Sequence, residues 1–127
     1  MEYHITKSEL EILNVLWKAG VPLSRADILE QSKDKTWKDN SIHILLNGML
    51  KKGIIHEAGF KRSGKVWGRL YESAITIEEY YADQFAHGVS PDPTKLLQIL
   101  IKSQNIDLEK IGELLSTIEQ AQKDNIN

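Results

Sequence analysis

Apolar residues recur at helical spacing early in the chain, at Leu10, Leu13, Val15, Leu16 and Trp17. Thr6-Lys7-Ser8-Glu9 precedes them as a capping box, in which the Thr hydroxyl and the Glu carboxylate satisfy each other's backbone amides. Gly20 supplies the stop, and Val21-Pro22-Leu23 reads as a short linker. Ser24 with Asp27 predicts the cap of a second helix, with Ala26, Ile28 and Leu29 as its apolar surface. After a polar loop from Lys33 to Thr36, a third helix is predicted from about Asp39 to Lys52. Its inward face is Ile42, Leu45, Leu46, Met49 and Leu50; Lys51 and Lys52 suit the last turn and Gly53 the exit. Ile54 to Ala58 then turns extended, Gly59 to Gly64 reads as a turn, and Lys65 to Glu72 as a returning strand. Three helices followed by a hairpin is the order of a winged helix-turn-helix, a mainly α fold with a small antiparallel β wing.

The pattern changes in the second half. Thr76-Ile77-Glu78-Glu79 opens a helix with Ile77, Tyr80, Tyr81 and Phe85, ending near Gly88. Ser90-Pro91-Asp92-Pro93 is a breaker and hinge, and Thr94 is the expected cap of a helix bearing Leu96, Leu97, Ile99, Leu100 and Ile101. Asp107 is expected to cap the last helix, striped by Leu108, Ile111, Leu114, Leu115 and Ile118. These helices carry more apolar surface than so short a segment can hide within itself. A second copy of the chain would cover it. The expected division is therefore a winged-helix head over residues 1–74 and a helical dimerisation region over 75–127. Its interface is drawn from Tyr81, Phe85, Leu97, Leu100, Ile101, Leu108, Ile111, Leu115 and Ile118.

Composition narrows the classes of function. With 127 residues, 41% hydrophobic and 27% charged, the chain is of ordinary globular make-up. It has no cysteine, which excludes disulfides, thiolate metal sites and cysteine nucleophiles. No run approaches the roughly 18 apolar residues that cross a bilayer. Met1 to His4 leads straight into the helical pattern without a secretory leader, so a cytoplasmic protein without membrane insertion is expected. His4, His43, His56 and His87 show no metal-ligand spacing, and no nucleophile elbow, HExxH or phosphate-binding glycine loop occurs. The reading is of a protein with no catalytic residues, no metal and no cofactor.

The net charge of −2 conceals an asymmetry. Residues 1–72 carry twelve Lys and Arg against nine Asp and Glu, whereas residues 73–127 carry four against nine. Within residues 35–70 the excess reaches +6, with only Asp39 and Glu57 opposing eight cations. A basic segment in a nearly neutral chain is the footprint of a phosphate-binding face. On the third helix, Asn40, His43, Ile44 and Asn47, with Ser41 at the edge, point away from the apolar stripe. Asn and Ser can hydrogen-bond base edges in the major groove. Ile44 either meets a thymine methyl or packs against the wing or first helix. About 14 residues make a rod of roughly 21 Å, enough for a reading helix. Lys38, Lys51, Lys52, Lys61, Arg62, Lys65 and Arg69 are the candidate phosphate contacts, and Lys61 to Lys65 suits a wing tip. Trp37 and Trp67 read as core or staple residues, since duplex DNA keeps its bases stacked. The alternative is a winged helix that binds protein without reading DNA, which leaves the +6 segment without a purpose.

These residues also carry a resemblance. Ser8 to Trp17 resembles the opening helix of the penicillinase-repressor family (BlaI/MecI/CopY). Thr36-Trp37, Ser41-Ile42 and Leu45 to Gly53 resemble its recognition helix and Lys-Lys-Gly exit, and Arg62 to Val66 with Tyr71 its wing. A weaker similarity extends through Tyr80-Tyr81 to the helix from Ile111 to Glu119. The resemblance implies a homodimeric, sequence-specific transcriptional repressor on a pseudo-palindromic duplex operator of TACA/TGTA type. It also implies control of β-lactam resistance, metal homeostasis or a related stress response. Release through a membrane sensor protease pathway would follow from the β-lactam branch, which is cut at an Asn-Phe bond. Here the corresponding stretch is Gln98-Ile99-Leu100-Ile101, and the cysteine pair of the copper branch is absent. Gly48 stands where the family usually has Arg, and Asp39 adds a negative charge near the reading face.

Overall fold

The structure is a computed structural model that describes residues 3–126. Met1 and Glu2, part of the opening read as free of a leader, lie outside the described residues. The elements run α1 (Lys7–Ala19), β1 (Leu23–Ser24), α2 (Arg25–Gln31), a 3₁₀ turn (Asp39–Ser41), α3 (Ile42–Lys52), β2 (Ile55–Ser63), β3 (Val66–Ser73), α4 (Ile77–Gln84), α5 (Pro93–Ser103) and α6 (Leu108–Ile126). The fold is mainly α with a three-stranded antiparallel sheet ordered β1-β3-β2.

Local chemistry sets the helix ends. The capping boxes Thr6/Glu9, Ser24/Asp27 and Thr76/Glu79 all form. Gly20 and Gly53 take left-handed backbone at φ 68° and 73°, where a side chain would be strained. Ile12, Leu13, Leu16, Ile28, Ile42, Leu46 and Met49 converge from α1 to α3 onto one core, closed by Leu23, Ile55 and Tyr71 of the sheet. Burying a side chain of this kind contributes roughly 1.5–3 kcal/mol. Trp37 joins that core, as expected. Glu11 anchors the loop before α3, accepting from the Thr36 amide at 2.9 Å and its hydroxyl at 2.5 Å.

Four expectations change. Leu23 is not linker: Leu23 and Ser24 form a short strand paired with Tyr71 and Leu70. Gly59 to Gly64 is not the turn, because β2 continues to Ser63 and the hairpin closes over Gly64 and Lys65, with Gly64 at φ 63°. Gly59, at φ 113°, instead sits in a bulge between Glu57 and Phe60, where β2 uses two residues against one on β3. Asp92, not Thr94, caps α5, accepting from the Thr94 and Lys95 amides behind Pro93. Asp107 does receive the Lys110 amide at the start of α6.

The fourth change is the division of the chain, which falls after Ala86 and not after Ala74. α4 belongs to the head because its Tyr80 is a core residue, as is Ile75 just before the helix. Trp17 Nε1 donates to the Ser73 hydroxyl and the Ile75 carbonyl at 3.1 and 3.0 Å, and its ring lies 5.9 Å from Tyr80. In the second unit, residues 87–127, no described residue is fully buried; Leu96, Ile101 and Ile111 come nearest.

Candidate nucleic-acid interface

The rotation of α3 about its axis is set by Ile42, Leu46 and Met49, each at most 2% exposed. With 3.6 residues per turn, His43, Ile44 and Asn47 must then face solvent. All three are exposed, as is Asn40 in the 3₁₀ turn, while Ser41 is half-buried at the edge. Ile44 is 77% exposed, so it packs against neither the wing nor α1. Asp39 does not stand alone at this end, because Lys35 Nζ lies 2.6 Å from its carboxylate.

Between α3 and the wing runs a groove of about 440 Å³. His43 and Asn47 line one wall, Lys61 and Val66 to Arg69 the other, Ser24 to Asp27 one end, with Tyr71 also in its lining. The pairing of β1 with β3 brings the start of α2 to this place. Arg25 follows directly, and its Nη1 lies 2.6 Å from His43 Nε2. The same Nη1 lies 3.1 Å from Nδ1, so either ring nitrogen can accept, according to the tautomer. Neither charge clustering nor periodicity along the chain singles out Arg25. Its partner is eighteen positions away, and no local pattern joins them.

The seven candidate phosphate contacts divide in the structure. Lys38, Lys51 and Lys65 are exposed and make no ion pair among the described residues. Arg62 donates from Nε to the Gly64 carbonyl at 2.8 Å, with its guanidinium 6.0 Å from the Trp67 ring centre. Lys61 lies 3.6 Å from Asp27, whose carboxylate is held below its ordinary range chiefly by the Ser24 amide and hydroxyl. Arg69 pairs with Glu57 at 2.7 Å, a contact that raises its pKa. Lys52 stands apart from the other six. Its amine contacts the buried Glu9 carboxylate at 2.6 Å and the His4 carbonyl at 2.8 Å, tying α3 to the start of α1. Trp67 also departs from expectation: it is 62% exposed and is neither core nor staple.

Among the described residues no group of His, Asp and Glu could hold a metal ion. No helix among them is long and apolar enough to cross a membrane.

The sequence model of the penicillinase repressor family matches residues 5–120. The chain belongs to that family. It is accordingly a DNA-binding transcriptional repressor. A penicillinase repressor of Bacillus licheniformis is 24% identical over 123 residues, spanning 91% of this chain and 90% of that protein. The fold is similar to that in the crystal structure of Bacillus subtilis PadR in complex with operator DNA. The TM-score is 0.50 at 18% identity, covering 92% of this chain and 71% of that one.

Proposed function

We propose that this penicillinase repressor family member binds a pseudo-palindromic operator as a homodimer, with α3 in the major groove and the wing along the backbone. The observation that carries this reading is the outward face of α3. Its core side is buried to within 2%, which leaves Asn40, His43, Ile44 and Asn47 presented beside a basic groove. Asn40 and Asn47 are the proposed base-reading residues, Ile44 the thymine-methyl contact, and Ser41 and His43 the flanking donors or acceptors. Lys38, Lys51, Lys61, Arg62, Lys65 and Arg69, joined by Arg25, are the proposed phosphate contacts. Lys52 leaves that set because of its bond to Glu9.

Homodimerisation is supported by the apolar surface that one chain leaves open: Tyr81 52%, Leu97 46%, Leu108 86%, Leu115 54% and Ile118 44% exposed. Phe85 at the end of α4, and Leu100, Ile101 and Ile111 on the last two helices, complete the proposed set. Two heads on one operator would read half-sites about one helical turn, roughly 34 Å, apart or a multiple of it. The proposed targets are β-lactam resistance or related stress genes, in the cytoplasm and without catalysis.

Salt titration against duplex DNA tests the reading. Binding should fall steeply as salt rises, because each phosphate contact releases counterions. Lys65→Ala should weaken every duplex about equally and lower the slope by about one. Asn47→Ala should instead relax the choice of one base pair by about 1–3 kcal/mol. Failure of the wild-type protein to bind any duplex at low salt would exclude direct DNA readout and favour a protein-binding module.

A further inference from the structure

The wing carries a feature that base reading and phosphate contact leave unused. Trp67 and Phe60 are 62% and 64% exposed. The strand register sets Arg62 opposite Trp67 and Arg69 opposite Phe60, so two aromatic rings and two guanidinium groups share one face of the hairpin. By the alternation of β3 this is also the face of Tyr71, which is buried in the core at the strand's base. Trp67 accordingly lines the same groove as His43 and Asn47. Arg62 is restrained twice, by the Trp67 ring and by the Gly64 carbonyl.

We propose that Trp67 is a DNA-contact residue. Its ring packs against the deoxyribose edge of the strand lying between α3 and the wing, and it holds Arg62 toward the adjoining phosphate. This rests on the duplex-binding reading above. The choice of DNA follows from charge. From Ala58 to Tyr71 the chain has four cations and no Asp or Glu. Protein–protein interfaces also favour Trp, Phe and Arg, but their buried centres are depleted of Lys, and this stretch adds Lys61 and Lys65 with no acid of its own to balance them. A sugar-phosphate strand supplies both things the surface asks for, apolar sugar faces and one anion per nucleotide. The bases of a duplex stay stacked, so the ring meets sugars and not base planes.

The chain's own tryptophans provide the measurement. Trp17 is half-buried and bonded through Nε1, and Trp37 is 8% exposed, so acrylamide-quenchable fluorescence reports chiefly on Trp67. Saturating duplex should protect that fluorescence in the full-length protein, and Trp67→Phe should remove the protected component. Trp67→Ala should weaken binding on the order of tenfold through lost apolar contact, with Trp67→Phe recovering most of it. The slope of log affinity against log salt should drop by about one in Arg62→Ala and by less than that in Trp67→Ala, where the Gly64 carbonyl still restrains Arg62. Quenching that duplex does not diminish, or wild-type affinity in Trp67→Ala, overturns the proposal. A changed sedimentation coefficient with unchanged DNA affinity also overturns it, by making the ring a protein contact. Absence of duplex binding by the wild-type protein overturns this proposal and the duplex reading together, and differs from the other outcomes by needing no variant.

Discussion

Leu115→Glu should convert the protein to a monomer and lower its affinity for a full operator by at least about a hundredfold, while leaving half-site affinity unchanged. Leu115 is 54% exposed in the single chain, between Leu108 and Ile118 on the α6 stripe. No described residue of this stripe is fully buried in the single chain, so a carboxylate at Leu115 costs the isolated chain little. In the proposed dimer the same carboxylate is buried without a partner, a penalty of several kcal/mol. The loss in operator binding follows from linkage. Two heads joined in one dimer bind their half-sites with an effective concentration that raises affinity by about 10²–10⁴. Sedimentation equilibrium reads the first part, and anisotropy on full and half operators selected from random duplexes reads the second. A Leu115→Glu protein that remains dimeric would remove α6 from the interface.

Lys52→Met should destabilise the head by about 2–3 kcal/mol at pH 7, without removing a proposed phosphate contact. The Glu9 side chain is 6% exposed and accepts from Lys52 and from the Thr6 amide at 2.9 Å. Burial by itself pushes this carboxyl up; the Lys52 and Thr6 hydrogen bonds and the Lys52 charge outweigh it and hold the group below its ordinary 4.5. Removing Lys52 leaves an unpaired buried charge, which costs about 3–5 kcal/mol when fully enclosed. The value expected here is lower because Lys52 keeps 37% of its side chain in solvent. In the wild-type protein the folded pKa is depressed, so Glu9 stabilises above 4.5 and this contribution is lost as pH falls through the lower folded value. In Lys52→Met burial acts unopposed by the amine, so protonation relieves the penalty and the gap between the two proteins narrows toward acid pH. Denaturant unfolding at pH 7 and pH 4 measures both effects. The double variant Glu9→Gln/Lys52→Met should recover most of the loss, and a gap that widens toward acid pH would contradict the account.

How far the residues spoke for themselves varied with the range of each interaction. The capping boxes at Thr6, Ser24 and Thr76 were legible because each closes within three positions. The reading face of α3 was legible because a single period of 3.6 puts Ile42, Leu46 and Met49 on one side and His43, Ile44 and Asn47 on the other. Asp92 and Thr94 are both capping residues, and the choice of Asp92 depends on Pro93 at the first helical position. The wing is legible in the chain but the position of its turn is not, because Gly59 signals a bulge as readily as a turn.

The basic excess was plain in the chain, and its distribution was not. Lys52 and Lys51 are adjacent and chemically alike, yet Lys52 meets Glu9 43 positions away and Lys51 is exposed. Arg25 lies by His43 only because β1 pairs with β3, and Trp67 faces the groove only because the hairpin register sets it on the side of Tyr71. The helices, their caps, the outward face of α3 and the surplus apolar surface of the tail are written in the chain, because all are effects of residues within about one turn of each other. Which cations are paired, where the head ends and which aromatic stays in water are settled in the folded chain. Those outcomes depend on contacts between distant segments, which periodicity along the chain does not encode.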